Sequence, residues 1–502
     1  MCSKLITLYQ MSGCSLRCRR CLLFSCSGVF VILALVSGLL WPTIVDPIMR
    51  SQLVLKPGSK NFDMWKETPI PIYLELYLFN WTNPDDINNH DIKPHFVEMG
   101  PYVFYEKHVR VDLNWNNNKT VTFKQRRIWN FMPDMSTGTL DDMVTNLNVI
   151  VSTVAYTVRS KHYLIQKAVD LLMREKREKL VITKSVRELL FDGYKDPLID
   201  LIRKMNNTGF QIPFDKFGWF YARNNSKTYD GEFNMFTGED SMSKLGVLDR
   251  WNGVTETKFY QDKSQCSKVV GTTGELWPPI EGNGKITVFA TDICRGVSLT
   301  YSKAHSEHGV EGKLYIGDKS VFDNGVSYPE NRCYCMSDQA HCPDLEPGML
   351  NVSSCRYGAP AFVSYPHFYL SDQSYLEAVD GLKPDKTLHE FRVALEPQTG
   401  IPLLVNARLQ INMLLQPMKG ISMLNNVPKV FVPMMWFCQR VSLTEDLASE
   451  AKLGLVMIDL GYYLSYAFAG VALLIIIIGL YLVCKGPWKG SEGERLIRPV
   501  SS

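Results

Sequence analysis

Six cysteines, Cys266, Cys294, Cys333, Cys335, Cys342 and Cys355, lie within ninety residues of this 502-residue chain, close enough for joint chemistry. Two chemistries suit such a cluster. Cys333-x-Cys335 with His341-Cys342 offers thiolate and imidazole donors for zinc, although zinc sites usually space paired cysteines about two to four residues apart. An even number of cysteines in a segment exported to an oxidising compartment favours three disulfides instead. Cys438 is left over and is expected as a buried free thiol. No metal site and no cofactor is expected.

A second group is cationic. From Arg159 to Arg187 there are nine basic side chains (Arg159, Lys161, Lys167, Arg174, Lys176, Arg177, Lys179, Lys184 and Arg187). Three acidic ones, Asp170, Glu175 and Glu178, leave a net +6 in 29 residues. The segment 42–460 as a whole carries 46 basic and 49 acidic residues, net −3. A local +6 on a slightly acidic body steers anionic ligands to one place. The competing reading is a solvated helix face, partly neutralised by i,i+4 pairs between residues 174 and 178. The whole chain is only +3, which excludes a generally basic nucleic-acid binder.

Catalytic spacing is missing. The chain has no G-x-S-x-G elbow and no H-E-x-x-H, and His305 and His308 stand three apart with no Glu beside the first. Gly284-Lys285 lacks the preceding glycine and following Ser/Thr of a phosphate loop. An enzyme is not expected. The last eighteen residues offer a recognition motif instead: Glu492, four residues before Leu496-Ile497, forms an acidic-dileucine-like signal. Clathrin adaptors read such a peptide by its charge and its aliphatic pair.

Two apolar runs position these groups. Leu22 to Leu40 is uncharged over nineteen residues, and Tyr462 to Cys484 over twenty-three. Each is long enough for a helix to cross the hydrocarbon core of a bilayer, about 30 Å thick. Arg17, Arg19 and Arg20 precede the first run, Trp41-Pro42 closes it, and Lys485 and Lys489 follow the second. A cleaved signal peptide is the alternative for the first run, although such apolar cores usually reach only about 7–15 residues. The positive-inside rule puts both tails in the cytosol. The expected order is a tail (1–21), a span (22–41), an extracellular or luminal ectodomain (42–460), a span (462–484) and a tail (485–502). Cys14, Cys18, Cys21 and Cys484 border the spans and are palmitoylation candidates, with unmodified thiols the alternative. Sequons at Asn80, Asn118, Asn206, Asn224 and Asn351 all fall in the ectodomain and mark expected glycosylation sites.

Within the ectodomain, Val109, Val111 and Leu113 alternate with Arg110 and Asp112, and Val121 and Phe123 with Thr122 and Lys124, around the Asn-rich turn 114–118. This predicts a hairpin. Leu409, Ile411 and Met413 alternate with Arg408, Gln410 and Asn412, as in a half-buried antiparallel strand. Between about 139 and 205 the period becomes helical: Leu164, Ala168, Leu171 and Leu172 follow i, i+4, i+7, i+8. Ser185-x-x-Glu188 predicts a capping box that opens a further helix. The expected class is α+β, one large domain carried on two spans.

The chain resembles the class B scavenger receptor family, which includes fatty-acid translocase, croquemort, the sensory neuron membrane proteins and the lysosomal integral membrane protein. The matching stretches include Leu53-Val-Leu-Lys-Pro-Gly58, Tyr77-Leu-Phe-Asn-Trp-Thr-Asn-Pro84, Met99-Gly-Pro-Tyr-Val103 and Arg187-Glu-Leu-Leu190. They continue through Gly193-Tyr-Lys-Asp-Pro197, Gly218-Trp-Phe220, Phe236-Thr-Gly238, Pro397-Gln-Thr-Gly400 and Gln410-Ile-Asn412. The resemblance implies an antiparallel β-barrel-like core, an apical helical bundle and an apolar tunnel toward the membrane. It also implies the bridges Cys266–Cys333, Cys294–Cys355 and Cys335–Cys342. Its ligands would be lipids, lipoproteins and anionic lipid-bearing particles, captured at the apex by Arg174, Lys176, Arg177 and Lys179. The function implied is endocytosis or lipid uptake at the plasma membrane, with cycling to endosomes and lysosomes. A lysosomal or endosomal trafficking receptor or a lipid exporter of the same family is the alternative. Glu175 departs from the pattern: it stands where fatty-acid translocase has a ligand-binding lysine.

Overall fold

The computed structural model describes residues 16–204, 214–336 and 342–484. They fall into two compact units: residues 16–52 with 449–484, and the described residues of 53–448.

The first unit is a pair of helices. Leu16–Leu53 and Glu445–Cys484 each contain an apolar stretch long enough to cross a membrane, as in a two-pass membrane protein. The two run antiparallel along a seam of small and hydroxyl residues. Ser465 Oγ donates to the Ala34 carbonyl at 2.8 Å, Ser27 Oγ to Ala472 at 3.3 Å, and Trp41 Nε1 to Met457 at 3.1 Å. Small residues let backbones approach where lipid gives helices no hydrophobic reason to associate. Trp41-Pro42, expected to close the first helix, does not: the helix continues through Pro42 and Pro47 to Leu53. Each proline removes only one backbone donor, and the hydrogen bonds on either side carry the helix past it.

The second unit is organised by a thirteen-stranded antiparallel sheet. Its strand order begins Leu248–Trp251, Glu232–Phe236, Thr120–Phe131, Phe96–Trp115, Ile72–Trp81 and Val430–Ser442. It continues Pro402–Leu415, Arg392–Leu395, Val310–Ile316, Arg295–Glu307 and Lys285–Ala290, and the short pair Leu350–Asn351 and Ala361–Ser364 branches from Pro402–Leu415. The segment at 271–272 bonds to both terminal strands. Leu248 N donates to Gly271 O at 2.9 Å, and Phe289 N donates to Thr272 O at 2.8 Å. The expected hairpin forms, with Val111 opposite Lys124 and Trp115 opposite Val121. Trp81, Tyr102, Tyr315, Tyr365, Phe79 and Phe96 are among the largest side chains fully buried in the core.

The half-buried reading of the strands needs correction. Gln410 and Asn412 are fully buried, as is Arg110. Alternation identifies residues that share a face, and here the polar face is covered as well. Gln410 Nε2 donates to Asn412 Oδ1 (2.8 Å), Asn412 Nδ2 to Ser364 Oγ (3.0 Å), and His367 N to Gln410 Oε1 (2.7 Å). Each buried amide is satisfied by a neighbour on the covering segment, as burial requires.

A smaller pair of strands, Met143–Leu147 and Val181–Ser185, frames the helical insert. The capping box forms: Ser185 N and Oγ both donate to Glu188 Oε2 at 3.1 Å, and Glu188 N donates back to Ser185 Oγ. It opens a short helical stretch with a π turn, Glu188–Asp192, rather than a long helix. The chain leaves it at Gly193 with φ +67.

Candidate functional site

The cationic segment is built on two helices, Val149–Val158 and Tyr163–Glu175. Asn148 caps the first: its Oδ1 accepts from Ile150 N (3.0 Å) and Val151 N (3.3 Å). Its Nδ2 donates to the Lys179 carbonyl at 3.1 Å, and Asn148 N donates to Leu180 O at 2.8 Å. One asparagine therefore fixes both the helix start and the backbone that carries Lys179.

The second helix ends in a Schellman-type turn. Glu178 N reaches Met173 O at 2.9 Å, and Arg177 takes the left-handed position with φ +56. That position normally belongs to glycine, because a side chain there costs roughly 1–2 kcal/mol.

The four basic residues expected to capture ligand are not equivalent. Arg174 is tied down: Nε donates to Ser422 Oγ at 3.0 Å, and Nη2 lies 3.4 Å from Asp170 Oδ2. Asp170 is itself buried and accepts from Ser422 N (2.7 Å) and Oγ (2.6 Å). Burial works against its charge, but those bonds and the charges of Arg174 and Lys167 hold its pKa below the usual aspartate value. Lys176 Nζ pairs with Glu175 at 2.9 Å. Arg177 and Lys179 are exposed and have no ion-pair partner among the described residues. Elsewhere in the segment, Arg187 pairs with Asp141 (3.1 Å), Lys184 with Glu188 (3.4 Å), and Arg159 lies 3.6 Å over the Tyr156 ring.

Glu178 is half-buried, and one carboxylate oxygen lacks a hydrogen-bond partner. Burial, reinforced by the charge of Asp196, pushes its pKa up to about 7. Acidification therefore removes a negative charge from the segment.

The apolar stripe of the second helix also faces an unexpected way. Leu164 is 69% exposed and Leu171 65%, and of the expected stripe Leu172 alone packs, half-buried, against the core, whereas Met173 and Asp170 are buried. Stripes of this period usually face a core. Here the inward face is instead filled by Gln166, Val169, Asp170 and Met173, with Gly420 lying against the Gln166 side chain. Below the framing strands is a small, mostly apolar cavity lined in part by Leu78, Val144, Leu147, Val149, Ile182 and Leu189. Tyr194 also lines it, with a buried hydroxyl that has no hydrogen-bond partner.

The bridges join Cys266 to Cys333, Cys294 to Cys355 and Cys335 to Cys342, with Cα separations of 5.8, 6.1 and 5.9 Å. With all six sulfurs bonded, none is left as a thiolate for zinc. Cys438 is buried and outside any disulfide, and its thiol pKa is pushed up to about 11, chiefly by burial.

Among the sequons, Asn118 is exposed in the hairpin turn, whereas Asn351 is buried and its Oδ1 accepts from Ser353 N. Asn80 Oδ1 accepts from Thr145 N, and Asn224 Oδ1 from Trp129 N. Cys21 and Cys484 are exposed, and Cys18 lies within the first helix. Cys14, Asn206, Glu492, Leu496 and Ile497 lie outside the described residues.

Sequence reasoning missed a buried charge network. Glu106, His108, Arg110 and Arg223 are all buried. His108 Nε2 lies 2.5 Å from Glu106, and its Nδ1 contacts Glu275, which also pairs with Arg110. Arg127 bridges Glu106 (3.3 Å) and Asp230 (3.2 Å), and Arg223 bridges Asp230 (2.7 Å) and Asp292 (2.8 Å). Burial alone would raise the Glu106 pKa, but His108 and Arg127 bring it down to about 2. The signal was present: Glu106, His108 and Arg110 repeat with period two and so share one face. A second set, on the strands Phe96–Trp115 and Val430–Ser442 and nearby turns, stacks buried His367 on buried His389 at 4.5 Å. There His367 Nε2 lies 2.6 Å and Trp436 Nε1 2.5 Å from Glu98.

Two terminal helices fit for a bilayer, a large antiparallel-sheet unit between them in sequence and a bridged cysteine cluster fit the class of two-pass membrane proteins. A sequence profile of the CD36 family matches residues 24–483, and the chain belongs to that family. It is 36% identical over 424 residues to Protein peste of Drosophila melanogaster, covering 84% of this chain and 75% of that one. It is 32% identical to Scavenger receptor class B member 1 of Cricetulus griseus, covering 94% of each. Lysosome membrane protein 2 of Homo sapiens is 29% identical over 489 residues, covering 94% of this chain and 97% of that one.

Proposed function

We propose that this chain is a cell-surface scavenger receptor without enzymatic activity, which captures lipids, lipoproteins or other anionic lipid-bearing particles for endocytosis or lipid uptake. The observation that carries this reading is the pair Arg177 and Lys179, exposed cations without acidic partners among the described residues, on a segment of net +6. The kinship to Scavenger receptor class B member 1 over 94% of both chains supports it.

In this reading residues 42–460 face outward, both tails are cytosolic, and the basic helices stand at the apex. The attachment of residues 271–272 to both terminal strands supports a barrel-like core. A tunnel within it would carry apolar cargo toward the bilayer, favoured by about 0.8 kcal/mol per buried CH₂. Glu492, Leu496 and Ile497 would engage clathrin adaptors. Cys14, Cys18, Cys21 and Cys484 would take acyl chains, and exposed Asn118 is, among the described sequons, the one best placed for a glycan.

Replacing Arg174, Lys176, Arg177 and Lys179 by glutamate changes the 159–187 segment from +6 to −2. Binding of anionic vesicles to cells expressing this variant should fall at low salt and less at high salt, since exposed charges act over about 8 Å in physiological salt. Equal binding by variant and wild type at low salt would return the cluster to a solvated face.

The kinship to Lysosome membrane protein 2 supports a second reading, a trafficking receptor resident in lysosomes. Surface biotinylation of the native protein separates the two.

A further inference from the structure

We infer that the helix Tyr163–Glu175 is a wedge that inserts apolar side chains into a phospholipid surface, such as the outer layer of a lipid particle. This rests on the capture reading above and adds an apolar step to it. Tyr163, Leu164, Ile165 and Leu171 are 54%, 69%, 48% and 65% exposed. With about 100° per residue, Leu164, Ala168 and Leu171 fall within an arc of roughly 60°. Lys167 and Arg174 flank one side of that arc, and Arg177 follows the end of the helix. An apolar stripe edged by cations suits a layer whose interior is hydrocarbon and whose surface carries phosphate. Tyr163, at the first turn, has the amphipathic ring favoured at such boundaries.

Glu175 is the acidic residue in line with the stripe, and the Lys176 ammonium 2.9 Å away neutralises it. The same charges argue against a second copy as the occupant, because pairing two such faces would oppose cations with cations.

The test uses cells expressing the full-length chain, with surface protein quantified, and fluorescent vesicles of phosphatidylcholine with or without phosphatidylserine. The doubly substituted Leu164→Asp, Leu171→Asp protein should lose binding by at least about tenfold, the loss expected for two leucines no longer buried. The loss should persist at high salt, where charge steering is screened. Leu164→Met with Leu171→Met keeps apolar bulk and should bind like wild type. The Arg177→Glu, Lys179→Glu protein should weaken binding at low salt only. Wild-type vesicle binding by the aspartate variant would overturn the wedge, even where the glutamate variant upholds charge capture. So would vesicle binding unchanged beside a loss of self-association or of binding to a protein ligand. Failure of the glutamate variant alone to lose binding would overturn charge capture and leave the wedge standing.

Discussion

Arg174 and Ser422, 248 positions apart in sequence, meet through a 3.0 Å hydrogen bond from Nε to Oγ, with buried Asp170 receiving both Ser422 donors beneath them. This arginine is a fastener for its helix before it is a ligand for anything outside.

Asp170→Ala should therefore destabilise the sheet-containing unit of residues 53–448, although Asp170 touches no proposed ligand. Losing a buried carboxylate that accepts two hydrogen bonds typically costs about 1.5–3 kcal/mol. A lower thermal midpoint of the purified protein checks this. An unchanged midpoint would mean that the Ser422 contact contributes little.

Arg177→Gly should separate stability from function. Glycine relieves the left-handed position, a gain of up to about 1 kcal/mol, while one exposed cation without an ion-pair partner among the described residues disappears. The expected result is a melting temperature equal to or above wild type with weaker binding of anionic vesicles at low salt. Arg177→Lys should retain binding.

Glu178 makes stability depend on pH in a definite direction. Its folded pKa, about 7, lies above the ordinary value of 4.5, so its contribution is fully present below about 4.5 and is lost as pH rises through 7. Glu178→Gln should raise the midpoint at pH 8 relative to wild type and leave it nearly unchanged at pH 4.5. Melts across that window measure it. Because protonation also makes the segment more positive, capture of anionic vesicles should strengthen between pH 8 and pH 6 in wild type, by more than in Glu178→Gln.

Leu496→Ala with Ile497→Ala removes the aliphatic pair of the proposed sorting signal and leaves the sequence of residues 53–448 unchanged. Slower uptake, a larger surface fraction and unchanged ligand binding are expected by surface labelling and internalisation assays. Internalisation at the wild-type rate would make Glu492 to Ile497 a chance match.

The two membrane helices, the 96–131 hairpin and the bridging of the cysteine cluster were legible because each leaves a local mark: length without charge, period two around a turn, an even count of thiols. The direction of a face was not legible. Leu164 and Leu171 have the spacing of core residues yet face water, and Arg110, Gln410 and Asn412 have the character of surface residues yet are buried. Periodicity assigns residues to a common side, whereas the partner that covers that side comes from far along the chain: Glu275 for Arg110, Ser364 for Asn412. The division of labour among Arg174, Lys176, Arg177 and Lys179 was hidden for the same reason, since it depends on Ser422, a residue of a distant loop.

The backbone at Gly271 and Thr272 has a colloidal consequence. A long sheet normally ends in strands whose unmatched amide and carbonyl groups invite pairing with another molecule. Here Leu248 at one terminal strand and Phe289 at the other both spend their amides on the same two residues. With both terminal strands engaged there, the sheet offers a neighbouring copy fewer unmatched edge groups to pair with.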